Sequence, residues 1–347
     1  MAIASDRRLR SGLRSTTVLR CEEVIDVKSL LLVPALCALV AGTAYGLGAE
    51  PPATLASPPQ PAPPSPSAPR PVSYEESEEV APYVLRDSEV RSIRSEALGR
   101  SYKVQVKLPP GYSAAENSDH RYPVIYFNDA TYTWLTATGV TIFPFHTGVF
   151  EKAILVGISH AQGEGSQLSR TRDYTPSDDP GTRFNSGGAR HYLTFLKDEL
   201  LPFVEMRYRA DPDRRILSGV SYGGLFGVYA LIEEPGLFSD YILTSPSLWH
   251  NNEIIFEMEK AAADAGRELR GRVYFATGET EVPEISPGFD DMVGQQRTFA
   301  AQLRARGYPN LEVRDEIIED GTHLSTYPIG LTRALRWLLP GKNPYHG

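Results

Sequence analysis

Residues 219–223, Gly-Val-Ser-Tyr-Gly, place Ser221 between two glycines directly after the short apolar run RRILSGV. A G-x-S-x-G pattern between a predicted strand and a predicted helix is typical of a nucleophile on a sharp turn with an exposed hydroxyl. Glycine suits Gly219 and Gly223 because side chains there would collide with the neighbouring strand and helix. The pattern predicts that Ser221 is a nucleophile, and a structural glycine-rich turn is the alternative.

A serine hydroxyl attacks a carbonyl carbon only when a base takes its proton, and histidine is the natural base near neutral pH. Of the seven histidines, His323 is the one in a glycine-containing loop between the last predicted strand and the last predicted helix. The chain order Ser, acid, His puts the base at that place. We predict that His323 is the base, and a cap on the last helix is the alternative role.

The third member of such a site is a carboxylate that follows the predicted strand RVYFATG. The next residues, GETE, offer Glu279 and Glu281, and the offset from the strand end favours Glu281. Asp290, Asp291 and a site without an acid are the alternatives. In this role Glu281 orients the base and stabilises its imidazolium without accepting the proton.

Backbone amides that bind the developing oxyanion are expected at two places. One is the amide of Tyr222, the residue after the nucleophile. The other lies in the loop NDATYTW after the strand YPVIYFN, at Ala130 or Asp129. Because a carboxylate is a poor neighbour for an oxyanion, we expect the Asp129 side chain to turn away.

Strand and helix patterns alternate along the chain from Ser101 and position these residues. Such alternation requires right-handed crossovers, so it predicts an α/β fold with a mainly parallel sheet and helices on both faces. No long insertion separates SPSLWHNN from the helix after it, so we predict no large lid domain and an open cleft. The predicted strands are SYKVQVKLP, YPVIYFN, KAILVGIS, RRILSGV, DYILTSP, RVYFATG and LEVRDEIIED.

Four further residues are candidates for substrate binding. Arg170 and Arg172, in a predicted loop RTRDYTP, could bind an anionic acyl or catecholate group, or could instead brace the loop through an Asp-Arg pair. Trp249 and His250 follow the strand DYILTSP and could form an acyl or aromatic wall, with core packing as the alternative for Trp249.

The N-terminal part has a different composition. Residues 29–49 are uncharged and mostly apolar after a basic stretch, which predicts a cleaved export signal or an uncleaved membrane anchor. Ten of the 28 prolines lie in residues 51–71, which predicts an extended linker. We therefore expect a signal peptide or membrane anchor at 1–50, a proline-rich linker at 51–71 and the catalytic domain at 72–347. The protein is expected to be exported, and a membrane tether through residues 29–49 is the alternative.

Composition excludes several classes of site. Both cysteines precede residue 72, so cysteine nucleophiles and thiolate metal sites are excluded from the predicted domain. The net charge of −8 argues against a general nucleic-acid binder. The predicted domain also lacks a G-x-G-x-x-G turn between strand and helix, a P-loop lysine motif and a histidine pair at metal spacing, so we predict no cofactor and no metal.

Several stretches of the chain together resemble the Putative esterase family of the α/β-hydrolase superfamily. The resemblance is strongest to its trilactone siderophore esterases of the enterobactin and salmochelin type. The resemblance covers nearly all of residues 90–338. It implies an α/β-hydrolase fold and a serine esterase in which Ser221 and His323 are nucleophile and base and Glu281 holds the acid position. In some siderophore esterases the active site resembles a Ser-His dyad, so a site in which Glu281 is not the acid stays an alternative. The family's usual Asp-Gly in the oxyanion loop appears here as Asn128-Asp129. The matching stretches include YPVIYFNDA, RTRDYTP, SGVSYGGLFGVYAL, SPSLWHNN, VYFATGETE and GTHLS.

The expected activity is hydrolysis of a small-molecule carboxylic ester or lactone, with a siderophore trilactone as one substrate class. The same catalytic atoms would serve an acyltransferase or an esterase on acylated sugars or S-formylglutathione. A binding protein with this fold but no catalysis is the alternative of another class.

Overall fold

The computed structural model of the protein describes residues 83–343. The predicted signal or anchor and the proline-rich linker lie outside the described residues. The eight strands are β1 (Ser88–Arg94), β2 (Ser101–Lys107), β3 (Tyr122–Phe127), β4 (Ile154–Ala161), β5 (Ala210–Val220), β6 (Asp240–Thr244), β7 (Arg270–Gly278) and β8 (Asn310–Ile318). The eight α-helices are α1 (Ala130–Thr147), α2 (Ser166–Tyr174), α3 (Ala189–Phe195), α4 (Leu201–Arg207), α5 (Tyr222–Glu233), α6 (His250–Asp264), α7 (Met292–Arg306) and α8 (Thr326–Leu338). A π-helical segment, Leu196–Leu200, joins α3 to α4, and a short 3-10 helix covers Ala115–Asn117.

One sheet contains all eight strands, in the order β1-β2-β4-β3-β5-β6-β7-β8. β2 pairs antiparallel with both β1 and β4, and the remaining neighbours are parallel. The carboxyl ends of β3, β5, β6, β7 and β8 therefore meet at one edge of the sheet, where sites form in open α/β sheets.

The central strand β3 is buried at all six positions, as expected for a strand covered on both faces. Its side chains alternate between two apolar clusters. Val124 and Tyr126 pack in a cluster that includes residues of α2 to α7, and Ile125 and Phe127 pack in a cluster with α1 and α8. The predicted sheet with helices on both faces is confirmed, and within residues 83–343 no lid domain interrupts it.

Three elements differ from the sequence prediction. β1 is an added antiparallel strand at the sheet edge. The segment NDATYTW is mostly the start of the 18-residue helix α1 rather than a loop. RTRDYTP also lies largely in a helix, α2. The local sequence does not favour a helix in α1, which is rich in Thr and contains Pro144, and α2 is almost entirely polar and lacks an apolar face.

The part of the chain between residues 83 and 343 contains no helix with the length and apolar character needed to cross a membrane.

Candidate active site

Ser221 lies on a strained turn between β5 and α5. Its φ of 58° and ψ of −122° are unusual for a residue with a side chain, and they are typical of backbone strain at a functional site. The Ser221 amide donates to the Thr244 carbonyl at 3.0 Å, which fastens the turn to the end of β6. A Cβ at Gly219 would lie only 2.1 Å from the Gly223 carbonyl oxygen, so this close approach requires glycine.

The turn also packs against the loop after β3. A Cβ at Gly223 would lie 3.3 Å from Asp129 Oδ2 and 3.4 Å from Asn128 Cβ, which leaves little space for a larger residue. The Asn128 amide donates to the Ser218 carbonyl at 3.1 Å. The start of α1 is therefore held beside the serine turn, where the second oxyanion donor was expected.

Glu281 and His323 form a close pair. His323 Nδ1 lies 2.6 Å from Glu281 Oε2, and Glu281 is only 1% exposed. The other carboxylate oxygen accepts hydrogen bonds from Ser245 Oγ at 2.7 Å, the Gly278 amide at 2.8 Å and Thr326 Oγ1 at 3.1 Å. Burial raises the pKa of Glu281, but the hydrogen bonds from His323, Ser245 and Gly278 outweigh it, so the pKa is lowered from its ordinary value.

The other acidic candidates are placed differently. Glu279 is exposed, and its carboxylate accepts from the Asp320 amide at 3.0 Å. Asp291 caps α7 by accepting from the Gly294 amide at 2.8 Å. Asp290 lines the cleft beside the serine. Of the four carboxylates considered from sequence, the structure brings Glu281 to His323.

Ser221 and His323 line the same cleft, which has a volume of about 200 Å³ and opens to solvent. The cleft is also lined by Ser247, Trp249, Gly288, Phe289, Asp290 and Met292. Within the described residues, the hydrogen-bond partner of the Ser221 hydroxyl is Ser247 Oγ at 3.2 Å, and no hydrogen bond joins it to His323. Since Glu281 occupies Nδ1 of His323, Nε2 is the ring nitrogen available to a group in the cleft.

Three backbone amides were candidates for the oxyanion hole. Tyr222 and Ala130 are the first residues of α5 and α1, where amides have no acceptor within the helix. The Asp129 amide instead donates to the Tyr174 hydroxyl at 3.2 Å. This contact argues against Asp129 as a donor, so Tyr222 and Ala130 remain the predicted pair.

Arg170 and Arg172 do not line the cleft beside Ser221. Both lie in α2, and both guanidinium groups are paired. Arg170 donates to the two oxygens of Asp129 at 3.2 and 3.0 Å. Arg172 donates to Asp173 at 2.8 Å and to Glu164 at 2.7 Å. The bracing alternative therefore describes these arginines, although the partner of Arg170 is Asp129 rather than Asp173.

The two residues after β6 separate into different environments. Trp249 lines the cleft with Ser221. His250 is fully buried, with Nε2 3.2 Å from the Ser177 carbonyl and Nδ1 3.7 Å from an Asp179 oxygen. Burial lowers the pKa of His250. The expectation that His250 contributes to a substrate wall is therefore not met, because its ring lies beneath the surface.

Sequence reasoning missed Ser245 and Ser247. Ser245 donates to the carboxylate of Glu281, and Ser247 contacts the hydroxyl of Ser221. Both lie in the SPS sequence directly after β6, so the rule that functional groups follow strand ends could have found them. His160, which contacts Asp129 at 2.8 Å, was also missed. It directly follows the predicted strand KAILVGIS, so the same rule could have found it.

Residues 83–343 contain no group of three His, Cys, Asp or Glu side chains arranged to hold a metal ion. The absence of a metal or cofactor stays a prediction.

A mainly parallel sheet, with a strained serine turn at the carboxyl end of a central strand and a histidine after the last strand, defines an α/β-hydrolase fold. The family model described as "Putative esterase" matches residues 95–327, more than half of the chain. The chain belongs to this esterase family and is an ester hydrolase.

Two curated relatives act on siderophores according to their names. The ferri-bacillibactin esterase BesA of Bacillus subtilis is 28% identical over 281 residues, which are 76% of this chain and 93% of the relative. The siderophore triacetylfusarinine C esterase of Aspergillus fumigatus is 28% identical over 215 residues, 59% of this chain and 73% of the relative.

A solved structure confirms the fold. The IroE-like serine hydrolase from Shewanella oneidensis superimposes with a TM-score of 0.64 at 26% identity, covering 73% of this chain and 80% of that one. The predicted α/β-hydrolase fold and the resemblance to siderophore esterases are therefore confirmed.

Proposed function

We propose that this protein is a serine esterase that hydrolyses siderophore esters, trilactones included, through an acyl-enzyme on Ser221. One observation carries the proposal. Ser221, on a strained turn, lines the same cleft as His323. Nδ1 of His323 is hydrogen-bonded to the buried carboxylate of Glu281.

The acylation step follows from this arrangement. Ser221 Oγ rotates from Ser247 toward His323, whose Nε2 takes the hydroxyl proton while Oγ bonds to the ester carbonyl carbon. The carbonyl oxygen becomes an oxyanion that accepts hydrogen bonds from the amides of Tyr222 and Ala130. The carbon–oxygen bond to the alcohol then breaks, and His323 gives its proton to the departing alkoxide. For a lactone, the alcohol stays attached to the acyl chain.

Deacylation reverses these roles. His323 takes a proton from water, the hydroxide bonds to the acyl carbon, and the second tetrahedral intermediate collapses to release the carboxylic acid. Ser221 leaves as the alkoxide and recovers its proton from His323. Glu281 keeps Nδ1 protonated throughout and stabilises the imidazolium without accepting the proton.

The substrate class is supported by the names of the relatives and by the shape of the site. The two curated relatives are named for the siderophores ferri-bacillibactin and triacetylfusarinine C. The cleft is open, and no lid domain covers it within the described residues, so bulky esters have access to Ser221. These observations favour a siderophore ester over small acyl groups.

Labelling with a fluorophosphonate tests the mechanism. We expect the folded protein to be labelled on one residue, and we expect Ser221→Ala to lose both labelling and about 10⁴-fold or more of its ester turnover. Replacing Ser218, a buried serine three residues earlier, by Ala is the matched control and should leave labelling intact. Equal labelling of Ser221→Ala and the unsubstituted protein would overturn the serine mechanism.

A substrate panel tests the substrate class. It contains a ferric siderophore trilactone, a linear siderophore ester, p-nitrophenyl acetate, a feruloyl sugar and S-formylglutathione. We expect the siderophore esters to have the highest kcat/KM. The siderophore assignment is wrong if they are untouched while acetyl esters turn over, and acyl transfer is indicated if an added alcohol collects the acyl group in place of water.

A further inference from the structure

The loop that begins α1 has an aspartate where the backbone is left-handed. Asp129 has φ 56° and ψ 41°, a conformation that residues with a Cβ adopt rarely and Asp and Asn tolerate best. Its side chain is completely buried although it carries a carboxylate. A buried carboxylate in a disfavoured backbone conformation requires specific partners.

Those partners come from β4 and α2. Oδ1 of Asp129 lies 2.8 Å from His160 Nε2 and accepts from Arg170 Nε at 3.2 Å. Oδ2 accepts from Arg170 Nη2 at 3.0 Å, which completes a forked ion pair. The Asp129 amide donates to the Tyr174 hydroxyl at 3.2 Å. Side chain and backbone of this residue are thus both fixed by neighbouring elements.

The same groups contact the two segments that carry the amides of the predicted oxyanion hole. On one side, the Asp129 carbonyl accepts from the amides of Tyr132 and Thr133 at 2.8 and 3.0 Å, which anchors the first turn of α1 and thus Ala130. On the other side, Arg170 Cζ lies 5.4 Å from the centre of the Tyr222 ring. The carboxylate also packs beside Gly223, the next residue of the serine turn.

Charge gives the pairing a second consequence. A lone carboxylate beside Gly223 would repel the negative charge that develops on a substrate carbonyl oxygen near Ser221. The Arg170 guanidinium cancels that charge at contact distance. Burial raises the pKa of Asp129, but Arg170 and His160 outweigh it and hold the pKa below its ordinary value, so the carboxylate is ionised and the ion pair is intact at neutral pH.

We infer that Asp129, Arg170 and His160 form a positioning cluster that fixes the amides of Tyr222 and Ala130 relative to each other and neutralises the carboxylate beside them. None of the three touches the reacting atoms in this inference, which rests on the serine esterase proposed above. The cluster acts on the transition state because the oxyanion forms only there.

Substitutions of Asp129 and Arg170 test the positioning role. We expect Asp129→Asn to lower kcat about 10-fold to 100-fold, with KM changed less than about threefold. Arg170→Gln should lower kcat further, because it leaves an unpaired carboxylate near the oxyanion. The double variant, which removes both charges, should recover part of the kcat that Arg170→Gln loses.

Asp129→Gly separates the backbone from the side chain. Glycine adopts the left-handed conformation freely, so a role limited to backbone shape predicts a wild-type kcat for this variant. The positioning cluster predicts a fall similar to that of Asp129→Asn. The apparent affinity for a boronic acid, which forms a tetrahedral adduct with the serine, should fall in parallel with kcat in every variant.

Arg306→Gln is the matched control. Arg306 also donates a fork to a fully buried carboxylate, that of Glu259 at 2.9 to 3.3 Å, but this pair joins α7 to α6 away from the cleft. It should lower the unfolding midpoint and leave kcat within about twofold. The inference is overturned if folded Asp129→Asn and Asp129→Gly keep wild-type kcat, or if no variant shows a larger effect on kcat than Arg306→Gln.

Failure of the proposed function would look different. In that case the unsubstituted protein itself would show neither ester turnover nor fluorophosphonate labelling. If Arg170→Gln does not fold, the kcat values and boronate affinities of Asp129→Asn and Asp129→Gly decide the inference.

Discussion

At the scale of single residues, two glutamates two positions apart have opposite environments. Glu281 is buried and shared among His323, Ser245 and Thr326, whereas Glu279 is exposed and accepts from the Asp320 amide. Burial without partners would raise the pKa of Glu281. The hydrogen bonds make it a stable anion, which is the state needed to hold an imidazolium.

Replacing Glu281 by Gln should therefore lower kcat/KM by roughly 10²-fold to 10⁴-fold, because the amide cannot stabilise protonated His323 and favours the wrong tautomer. Glu279→Gln is the control, and we expect its kcat/KM to stay within about twofold of the unsubstituted protein. Steady-state kinetics on one chromogenic ester would measure both. A Glu281→Gln enzyme with unchanged kcat/KM would mean that Ser221 and His323 act as a dyad.

Residues that follow strand ends were predictable from the sequence. Ser221, His323 and Glu281 were placed by chain order and by their offset from a strand, and the structure brings the last two into contact. The partners of Arg170 and Arg172 were not predictable, because the partner of Arg170 lies 41 positions away on another element. The burial of His250 was missed for the same reason, since its contacts come from the distant segment around Ser177 and Asp179.

At the scale of elements, the serine turn depends on how closely α5 approaches β6. A Cβ at Gly227 would lie 2.2 Å from Leu243 Cδ2, and a Cβ at Gly224 would lie 3.0 Å from Pro246 Cα. Both positions are buried. Glycine at these two positions allows α5 to pack closely against β6, with Ser221 directly before the first turn of the helix.

Gly227→Ala should therefore destabilise the fold by about 1–3 kcal/mol, because Leu243 must shift in a packed core. Gly139→Ala in α1 is the matched control, since a Cβ there meets nothing within 4 Å. It should raise stability by about 0.5–1 kcal/mol, as alanine favours a helix over glycine. Urea unfolding monitored by circular dichroism measures both, and equal free energies for the two variants would contradict the packing argument.

Elements with a regular apolar pattern were found from sequence, and those formed by long-range packing were not. The helix α1 contains Thr133, Thr138, Thr141 and Pro144, which disfavour helix locally, but it buries Trp134 and Phe145 against the sheet. β1 was missed because its side chains are mostly polar and its partner strand, rather than its own pattern, determines its conformation. In both α1 and β1, tertiary contacts stabilise a conformation that the local sequence does not favour.

At the scale of the whole molecule, buried carboxylates connect stability to pH. The pKa values of Glu259, Glu281 and Asp129 all lie below their ordinary values in the folded protein. For Glu259, burial raises the pKa, but hydrogen bonds from Arg306, Gln302 and Tyr308 outweigh it. The folded state therefore binds fewer protons than the unfolded state in acid, so its stability decreases as pH falls.

The stabilisation from Glu259 is fully present above 4.5, its ordinary pKa, and is lost as pH falls through the lower folded value. The difference in unfolding free energy between the unsubstituted protein and Glu259→Gln should therefore be largest near neutral pH and shrink in acid. Urea unfolding from about pH 7 to about pH 3 measures this. An exposed residue, Glu257, supplies the control Glu257→Gln, whose difference should stay small at every pH. A constant difference for Glu259→Gln would contradict the sign.

The edge position of β8 in the sheet affects how the protein loses activity in denaturant. β8 is the last strand of the described sheet, and alternate residues along its first half face solvent, whereas β5 lies between β3 and β6. Local opening is cheapest at such an edge. His323 follows β8 and Ser221 follows β5. We therefore expect the proposed base and the proposed nucleophile to lie in regions with different opening free energies. We expect amide hydrogen exchange to be faster in β8 than in β5. Mild denaturant should abolish ester turnover reversibly while β5 and the turn at Ser221 are still folded.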